Sequence, residues 1–428
     1  MAGSEAPGHP QRNGTDLRTR AARLDADDPL AHVRQRFVLD EDAPSGAADP
    51  GAAEVYLDGN SLGLLPRGVP DRLDDVVRRE WGALRIRSWE RSGWWQAPER
   101  IGDRIAPLVG AAPGQLVVGD STSVNVFKAL VAAVRMADED VARGGVTPRD
   151  EILVDAATFP TDGYLAGSVA RLTGRTLRPV QPDEVPGTVG PRTAAVLLNH
   201  VDYRTGRRHD LPLLTDAVHA AGGYVVWDLC HSAGALPVGL DAHGVDLAVG
   251  CTYKYLNGGP GAPAFLYVRR DLQPRFDSPL PGWTSHEEPF GMRDDYVPAS
   301  GVSRGRVGTP DVLSMLALDA ALDVWDGVRI EQVRAKSLAL TDFFLACLAA
   351  YLPPGRAEVL TPTEHRHRGS QVSLRCPDAG EVMDRLTARG VVGDFRRPDV
   401  LRFGFAPLYL SFRETERAAA VLAEELSV

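Results

Sequence analysis

Cysteine is scarce in this sequence. No two of the four cysteines form a C-x-x-C pair; they are Cys230, Cys251, Cys347 and Cys376. A disulfide framework or a structural zinc site needs more closely spaced cysteines, so the sequence favours neither. The two histidines of HRHRG (365–369) have no further metal ligands nearby, which favours a solvated loop over a metal pair. We therefore expect reduced thiols, a cytoplasmic location and no bound metal.

Long apolar runs and an excess of basic charge are also missing. No run of about eighteen apolar residues, the length a membrane helix needs, occurs in the chain. The 47 basic and 57 acidic residues give a net charge of −10. We expect neither a membrane nor a nucleic-acid partner, although a local anion pocket is still compatible with this charge. Residues 1–25 lack an apolar signal core and are predicted to form a polar, disordered tail.

Lysine is the rarest of the basic residues, since Lys128, Lys254 and Lys336 are the only three in the chain. Lys254 lies in GCTYKYLNGGPGAP, between an apolar run and a turn rich in glycine and proline. One interpretation is an exposed lysine in a turn. We favour a second one, in which the chain keeps an amine here because a guanidinium cannot form a Schiff base or act as a base.

Short apolar runs alternate with helical patterns through the middle of the chain, and 428 residues exceed what one hydrophobic core usually holds. This alternation predicts an α/β domain with a largely buried sheet, followed by a smaller domain in the last hundred residues. We expect the hinge near Gly308–Pro310. The predicted strands lie in residues 151–159, 193–201, 223–230, 245–252 and 262–270, with helices in 211–222 and 312–325.

Asp228 ends one of these apolar runs, in YVVWDLCHSAG. Side chains at the carboxyl ends of parallel strands face the crevice where α/β proteins bind ligands, although many such aspartates only cap the next helix. A lysine paired with an aspartate is what enzymes dependent on pyridoxal phosphate (PLP) use: the lysine forms a Schiff base and the aspartate pairs with the pyridine nitrogen. The sequence therefore indicates a PLP enzyme built on Asp228 and Lys254.

A phosphate site is predicted where the run 117–120 meets a helix. Ser121, Thr122 and Ser123 offer hydroxyls and free N–H groups at the start of this helix, where anions bind. A plain N-cap is the alternative. In the next segment, ATFPTDGY, Phe159 could stack on a planar ring and Asp162 could bond to the cofactor, or they could be a core residue and an N-cap.

Several segments, in the same order along the chain, resemble the kynureninase family. DGNSLG and TYKYLNGG are the most specific. The matching segments are YLDGNSLGLLP (56–66), GDSTSVNVFK (119–128), TFPTDGY (158–164), DLCHSAGALPV (228–238), CTYKYLNGGPGAP (251–263), GWTSHEEPFGM (282–292), RVGTP (306–310) and LRFGFAPLY (401–409).

The resemblance implies the α/β architecture of PLP fold type I, like that of aspartate aminotransferase, in a homodimer with shared active sites. The large domain would have a mostly parallel sheet flanked by helices, and the C-terminal domain would be smaller and α+β. The implied division is a tail over 1–25, a segment over 26–60 that packs on the small domain, the PLP-binding domain over 61–310 and the small domain over 311–428.

The resemblance also implies a set of site residues, with Lys254, Tyr253 and Asp228 as the catalytic ones. Lys254 would form the Schiff base, Asp228 would pair with the pyridine nitrogen, and Tyr253 would contact the phosphate and transfer protons. Trp283 and Thr309 would complete the phosphate site from the partner subunit. The implied cofactor contacts are Thr122, Ser123, Phe159, Asp162, Asn199, Asp228, His231, Tyr253, Lys254, Trp283 and Thr309, and the implied substrate contacts are Ser61, Trp89 and Arg402.

The implied activity is hydrolysis of the Cβ–Cγ bond of L-kynurenine, or of a ring-substituted relative, to an anthranilate and L-alanine. It would belong to tryptophan catabolism, the kynurenine pathway that also leads to NAD, or a related biosynthesis. Thr309 resembles bacterial members that prefer kynurenine, whereas Thr284 replaces the family's usual aromatic residue and leaves the ring substituents open. Two alternatives are another enzyme of this fold, a cysteine desulfurase-like lyase or an aminotransferase, and an inactive binding protein.

Overall fold

The computed structural model describes residues 10–39, 54–144 and 147–427 of the protein. The expectations for residues 1–9 and 40–53 lie outside this part of the chain. The helices are α1 Pro10–Ala26, α2 Gly68–Asp75, α3 Ser88–Arg91, α4 Ala97–Val109, α5 Thr122–Ala142, α6 Pro160–Thr173, α7 Val185–Thr188, α8 Leu211–Ala220, α9 Val312–Ala321, α10 Ile330–Tyr351, α11 Ala379–Ala388 and α12 Phe412–Ser427. The strands are β1 Val55–Tyr56, β2 Leu116–Val118, β3 Glu151–Asp155, β4 Thr176–Val180, β5 Thr193–Asn199, β6 Tyr224–Asp228, β7 Leu247–Gly250, β8 Phe265–Val268, β9 Glu358–Val359, β10 Gln371–Arg375, β11 Val391–Val392, β12 Asp394–Arg396 and β13 Val400–Gly404.

A seven-stranded sheet in the order β2-β8-β7-β6-β5-β3-β4 forms the centre of the molecule. The five strands from β7 to β4 are parallel to their neighbours, and β8 runs antiparallel to both β7 and β2. Every residue of β5 and β6 is buried, because helices cover both faces of the sheet. The predicted α/β class with a mainly parallel sheet is confirmed.

The carboxyl ends of neighbouring strands bring the predicted site residues to one edge of this sheet. Asn199 ends β5 and Asp228 ends β6, and the two residues are directly paired in the register of these strands. The helix α5 begins beside them, and the Ser121 side chain caps it by accepting a hydrogen bond from the Val124 N–H at 3.4 Å. Ser121 is therefore an N-cap, as the plain alternative predicted. This bond does not exclude a role for Ser121 in binding an anion.

The C-terminal part of the chain forms a four-stranded antiparallel sheet in the order β12-β13-β10-β9. The chain before the large sheet contacts this C-terminal part, because β1 pairs with β11 in a separate two-stranded sheet and Asp58 forms a bridge to Gly404. These pairings support the proposal that the segment 26–60 packs on the small domain, and the division at residue 310 also stays a proposal.

The expected disordered tail over residues 1–25 differs from the structure, in which residues 10–26 form α1. Leu17 and Ala21 are buried in the core, and Leu24 packs against it. Arg18 lies 3.5 Å from Glu416 of α12. The spacing of these three apolar residues gives one narrow apolar face, which their many charged neighbours concealed at the sequence level.

Candidate active site

Lys254 lies in the loop that follows β7, and its amine lies against a histidine. Lys254 Nζ is 3.1 Å from His231 Nε2. Burial, followed by the positive charge of Lys254, holds the pKa of His231 well below its usual range, so this ring is neutral. Among the described residues no carboxylate lies within ion-pair distance of Lys254. The amine is therefore held by a neutral partner and has no counter-ion in the described part of the chain.

The DGNSLG segment packs directly on this lysine loop. The Gly63 N–H donates a hydrogen bond to the Tyr253 carbonyl at 2.8 Å. A Cβ atom at Gly63 would lie 2.4 Å from the Lys254 carbonyl oxygen, a contact that no other side chain could make without displacing the loop. This close approach explains why two segments almost two hundred residues apart carry the most specific motifs.

Two carboxylates and an amide meet at the ends of β5 and β6 and the start of α6. Asn199 Nδ2 donates to Asp228 Oδ2 at 2.9 Å and lies 3.2 Å from Asp162 Oδ2. Thr158, which the sequence did not single out, donates through Oγ1 to Asp162 at 3.2 Å and also contacts Asn199. Burial, with the Asp228 charge next, raises the pKa of Asp162 well above its usual range. Asp162 therefore tends to keep its proton, and the Cys230 N–H donates a hydrogen bond to Asp228 Oδ1 at 2.7 Å.

A cavity of about 470 Å³ opens beside the start of α5. Thr122, Tyr253 and Thr309 line it, together with Ser121, but Ser123 is not among the lining residues. Thr309 lines the cavity of its own chain, and its contribution to the phosphate site of a partner subunit stays a prediction. Thr122 Oγ1 also lies 3.8 Å from Cys230 Sγ, so the cavity adjoins the Asp228 end of the sheet.

Arg306 is a lining residue of this cavity that the sequence reasoning missed. Its guanidinium stacks on the Trp95 ring at 4.4 Å, and its NH1 lies 3.3 Å from Glu99 Oε1. Its NH2 group is buried and has no hydrogen-bond partner in the described part of the chain. The position of Arg306 in RVGTP, three residues before Thr309, was the signal that could have identified it.

Arg402 lies in β13 and is already ion-paired. Its NH2 group is 2.5 Å from Asp394 Oδ2 and 2.9 Å from Ser61 Oγ, and its NH1 group donates to the Tyr203 carbonyl at 2.9 Å. The side chain is 1% exposed. Sequence reasoning missed Asp394 because its contact with Arg402 depends on the register of β12 against β13.

Trp89 and Trp283 belong to an aromatic cluster with Trp95 and Phe290. The ring centroids of Trp89 and Trp283 are 6.3 Å apart, and those of Trp95 and Trp283 are 5.5 Å apart. Thr284 is buried, and its hydroxyl lies 3.0 Å from the Val307 carbonyl and 3.1 Å from that of Gly308. The threonine therefore fixes the GW turn to the loop that carries Thr309 instead of presenting its hydroxyl to a ligand ring.

The side chains around Lys254 fit pyridoxal phosphate. Phe159 is 43% exposed, so its ring is available to stack on the planar ring of the cofactor. It packs edge-on against Tyr203, with the ring centroids 5.3 Å apart. Asp228 is available to pair with the pyridine nitrogen, and the Lys254 amine is available to bond to the aldehyde carbon. The hydroxyls of Ser121 and Thr122 are available to bind the phosphate. His231 Nδ1 is buried without a hydrogen-bond partner among the described residues, so the site also holds an unsatisfied polar atom next to the lysine.

The cysteines give no support to the desulfurase alternative, which needs a mobile, reactive thiol. Cys347 and Cys376 are buried. Burial raises the pKa of the Cys347 thiol to about 12 and that of Cys376 to about 11, so both are poor nucleophiles at neutral pH.

Comparisons with known proteins point in one direction. A family model described as "Kynureninase C-terminal domain" matches residues 333–422. A protein named kynureninase from Deinococcus radiodurans is 49% identical over 94% of this chain and 95% of its own length. One from Burkholderia pseudomallei is 43% identical over 96% of this chain and 95% of its own length.

Two solved structures share the fold at low sequence identity. A cysteine desulfurase from Escherichia coli superposes with a TM-score of 0.75 at 21% identity, covering 93% of this chain and 98% of that one. A C-DES mutant with glycine covalently linked to its PLP cofactor gives a TM-score of 0.72 at 19% identity over 89% and 99% of the two chains. These likenesses establish the fold alone.

Proposed function

Because this chain belongs to the kynureninase family, we propose that it is a PLP-dependent hydrolase of the Cβ–Cγ bond of L-kynurenine, giving anthranilate and L-alanine. The observation that carries this proposal is 49% identity to a protein of that name over 94% of the chain. The site agrees with it, since the charges of Lys254 and Arg402 both act on His231 and those of Asp228 and Lys254 both act on Cys230.

Five side chains would hold the cofactor. Lys254 would attach it covalently, Asp228 would pair with the pyridine nitrogen, Phe159 would cover one face of the ring, and Ser121 and Thr122 would bind the phosphate. Asn199 and Asp162 support Asp228 through the 2.9 Å and 3.2 Å hydrogen bonds of the amide. Bound in this way, PLP supplies an electron sink for the bonds at the substrate's α- and β-carbons.

Lys254 and Tyr253 would carry the protons. The Lys254 amine has no counter-ion among the described residues, so Nζ can take the proton from the substrate Cα once it is free of the cofactor. Burial raises the pKa of Tyr253 above its usual value, which keeps its hydroxyl protonated and suits it to donate a proton as the Cβ–Cγ bond breaks. His231, held neutral, would orient the Lys254 amine.

Arg402 would bind the substrate α-carboxylate. Its guanidinium already contacts Asp394, Ser61 and the Tyr203 carbonyl, so the substrate must share Arg402 with Asp394 or displace it. Ser61, expected in the aromatic-ring pocket, lies on the same guanidinium, and we assign it to orienting Arg402. Trp89 and Trp283 would then provide the apolar wall for the substrate ring.

The preferred substrate would be kynurenine itself, because Thr309, which lines the cavity, resembles the residue of bacterial members that prefer kynurenine. Thr284 would act on specificity only indirectly, since its hydroxyl is bonded to the backbone at Val307 or Gly308.

The assembly and the pathway are finer proposals. We propose a homodimer with shared active sites, supported by the exposed aromatic residues Trp283 (36%) and Phe290 (68%) beside the cavity. The four free cysteines support a reducing compartment such as the cytoplasm. A role in tryptophan catabolism or NAD biosynthesis follows from the proposed substrate. In the described ranges, no helix combines the length and apolar character needed to cross a membrane.

A direct assay tests the proposed reaction. The PLP-loaded protein should convert L-kynurenine to fluorescent anthranilate and an equal amount of alanine, with a higher kcat/KM than for 3-hydroxykynurenine. L-cysteine should give no sulfide. Sulfide release from cysteine without anthranilate formation would contradict the proposal and restore the desulfurase alternative.

A further inference from the structure

A second cavity, of about 160 Å³, lies between the chain after β5 and the HRHRG segment. We call it the histidine cavity; its lining residues are His200, Arg208, His209, Asp210, Leu211, Pro212, Pro237, Val238, His243, Arg366 and His367. It shares no lining residue with the 470 Å³ cavity of the active site. Its volume is about ten times the ~15 Å³ that one water molecule needs.

The histidine cavity is lined by polar groups that lack partners. His200 and His209 are 3% and 8% exposed, and the Nδ1 atom of each is buried without a hydrogen-bond partner in the described part of the chain. Within the same part of the chain, the Arg208 guanidinium has neither an ion pair nor a hydrogen bond, although burial lowers its pKa. Unsatisfied buried polar groups cost free energy, so a site that collects two of them beside the half-buried Arg208 guanidinium is suited to a ligand.

The charge around the histidine cavity is mostly positive. Burial, with the charges of Arg208 and Arg368 next, lowers the pKa of Arg334 to about 10. Burial, with the Arg208 charge next, holds the pKa of His200 well below its usual range. The one carboxylate that lines the cavity is Asp210; its charge acts on Arg208, and its side chain caps α8 by accepting a hydrogen bond from the Leu213 N–H at 3.1 Å.

A metal ion does not fit this pattern. Among the described residues, no group of three or more His, Cys, Asp or Glu side chains has the arrangement to hold one. The arginine charges at the wall would also repel a cation. An anion instead receives hydrogen bonds from the Arg208 guanidinium and from the ring N–H groups of neutral imidazoles whose tautomer places the proton toward it.

We propose that the histidine cavity binds a small tetrahedral oxyanion of the phosphate and sulfate class, with Arg208 as its main ligand. The ion would link two segments that are distant in the sequence. These segments are already in contact, since the backbone N–H of Arg208 donates to the His367 carbonyl at 2.8 Å and Arg207 forms a bridge with Arg368. The first of these segments follows Asn199 of the active site directly. The ion would therefore stabilise the loop that continues from the proposed cofactor site.

Isothermal titration calorimetry tests this site in the PLP-loaded enzyme, whose cofactor phosphate site is already filled. Sodium phosphate and sodium sulfate are compared with sodium chloride at matched ionic strength. Arg208→Gln should weaken phosphate binding about tenfold or more, the loss typical of a charged hydrogen bond. Arg207→Gln is the matched control, because Arg207 pairs with the exposed Asp183 at 2.8 Å, and it should leave binding unchanged.

The outcomes separate clearly. Equal phosphate affinity in Arg208→Gln and the parent, or heats no greater than those with chloride, would overturn the proposal. If Arg208→Gln does not fold, His243→Gln takes its place and should also weaken binding. Glycerol 2-phosphate serves to identify the source: binding comparable to that of phosphate assigns the site to phosphomonoesters as well, and binding of inorganic phosphate alone assigns it to the free ion.

Discussion

Two cationic side chains at the proposed active site, Lys254 and Arg402, are held in opposite ways. Lys254 contacts the neutral His231 and has no carboxylate partner in the described ranges, whereas Arg402 is buried against Asp394 at 2.5 Å. An unpaired amine is available to form and break bonds, and a paired guanidinium is fixed in place to recognise a carboxylate. The difference indicates which of the two groups carries chemistry and which carries binding.

The largest effect is expected from removing the amine. Lys254→Ala should lower kcat by about 10²–10⁴-fold or more, because the base for the Cα proton is lost. The cofactor should no longer be attached covalently. Anthranilate fluorescence measures the rate, and the absorbance spectrum measures the attachment.

Lys336→Ala is the matched control for that experiment, because Lys336 pairs with the buried Asp28 at 2.7 Å, away from the site. It should lower the free energy of unfolding by about 3 kcal/mol, since a buried carboxylate loses its partner, and keep kcat within about twofold. Normal turnover in Lys254→Ala would contradict the assignment of the catalytic role to the lysine that has no carboxylate partner.

Removal of the guanidinium should act mainly on binding. Arg402→Ala should raise KM for kynurenine by about 10- to 100-fold, the loss expected for hydrogen bonds to a charged group, with a smaller change in kcat. Steady-state kinetics separates the two. A fall in kcat with unchanged KM would give Arg402 a chemical role and remove the contrast with Lys254.

Asp394→Asn tests the competition for Arg402. Without substrate, the variant should lose about 1–3 kcal/mol of unfolding free energy, because a buried arginine then lacks its main counter-ion. The product L-alanine should raise the Tm of the variant more than that of the parent, since its carboxylate meets less competition. An equal or smaller rise in Tm would show that Asp394 only positions Arg402.

Asp58 gives the smallest effect, and it depends on pH. Burial, helped by the Asp394 charge, raises the pKa of Asp58 to about 6. The folded protein holds this proton more tightly than the unfolded chain, so the stability it contributes is present below pH ~4 and is lost as the pH rises through ~6. Between pH 4 and 7, the free energy of unfolding of Asp58→Asn should therefore fall less than that of the parent. The difference between the two changes should be at most about 3 kcal/mol.

Urea unfolding at each pH measures the difference for Asp58. The pKa of Asp155 is also raised to about 6, but this residue is unchanged in both proteins, so its contribution cancels. Parallel pH profiles for the parent and the variant would contradict the assignment.

The central sheet could be predicted from the sequence because buried parallel strands leave continuous apolar runs, as TAAVLLN does in β5. The rarity of lysine was a weaker signal than it looked. Lys128 and Lys336 are the other two lysines of the chain, yet each is buried in an ion pair, with Asp120 and Asp28 respectively. Only the partners of Lys254 distinguish it from them.

The contacts that were missed depend on long-range geometry. Asp394 meets Arg402 through the pairing of β12 and β13, and Arg306 reaches its cavity through a loop. No local pattern marks Asp394, whereas the position of Arg306 in RVGTP, three residues before Thr309, was a usable signal. The helix α1 was missed for a different reason, because its apolar face is narrow and its composition is strongly charged.

Borohydride reduction followed by peptide mass spectrometry tests the central claim most directly. The chain has only three lysines, so the result can fall on only three side chains. The account predicts that the PLP-loaded protein carries the reduced cofactor on the peptide containing Lys254 and on no other. A label on Lys128 or Lys336, or full activity with no label on Lys254, would contradict it.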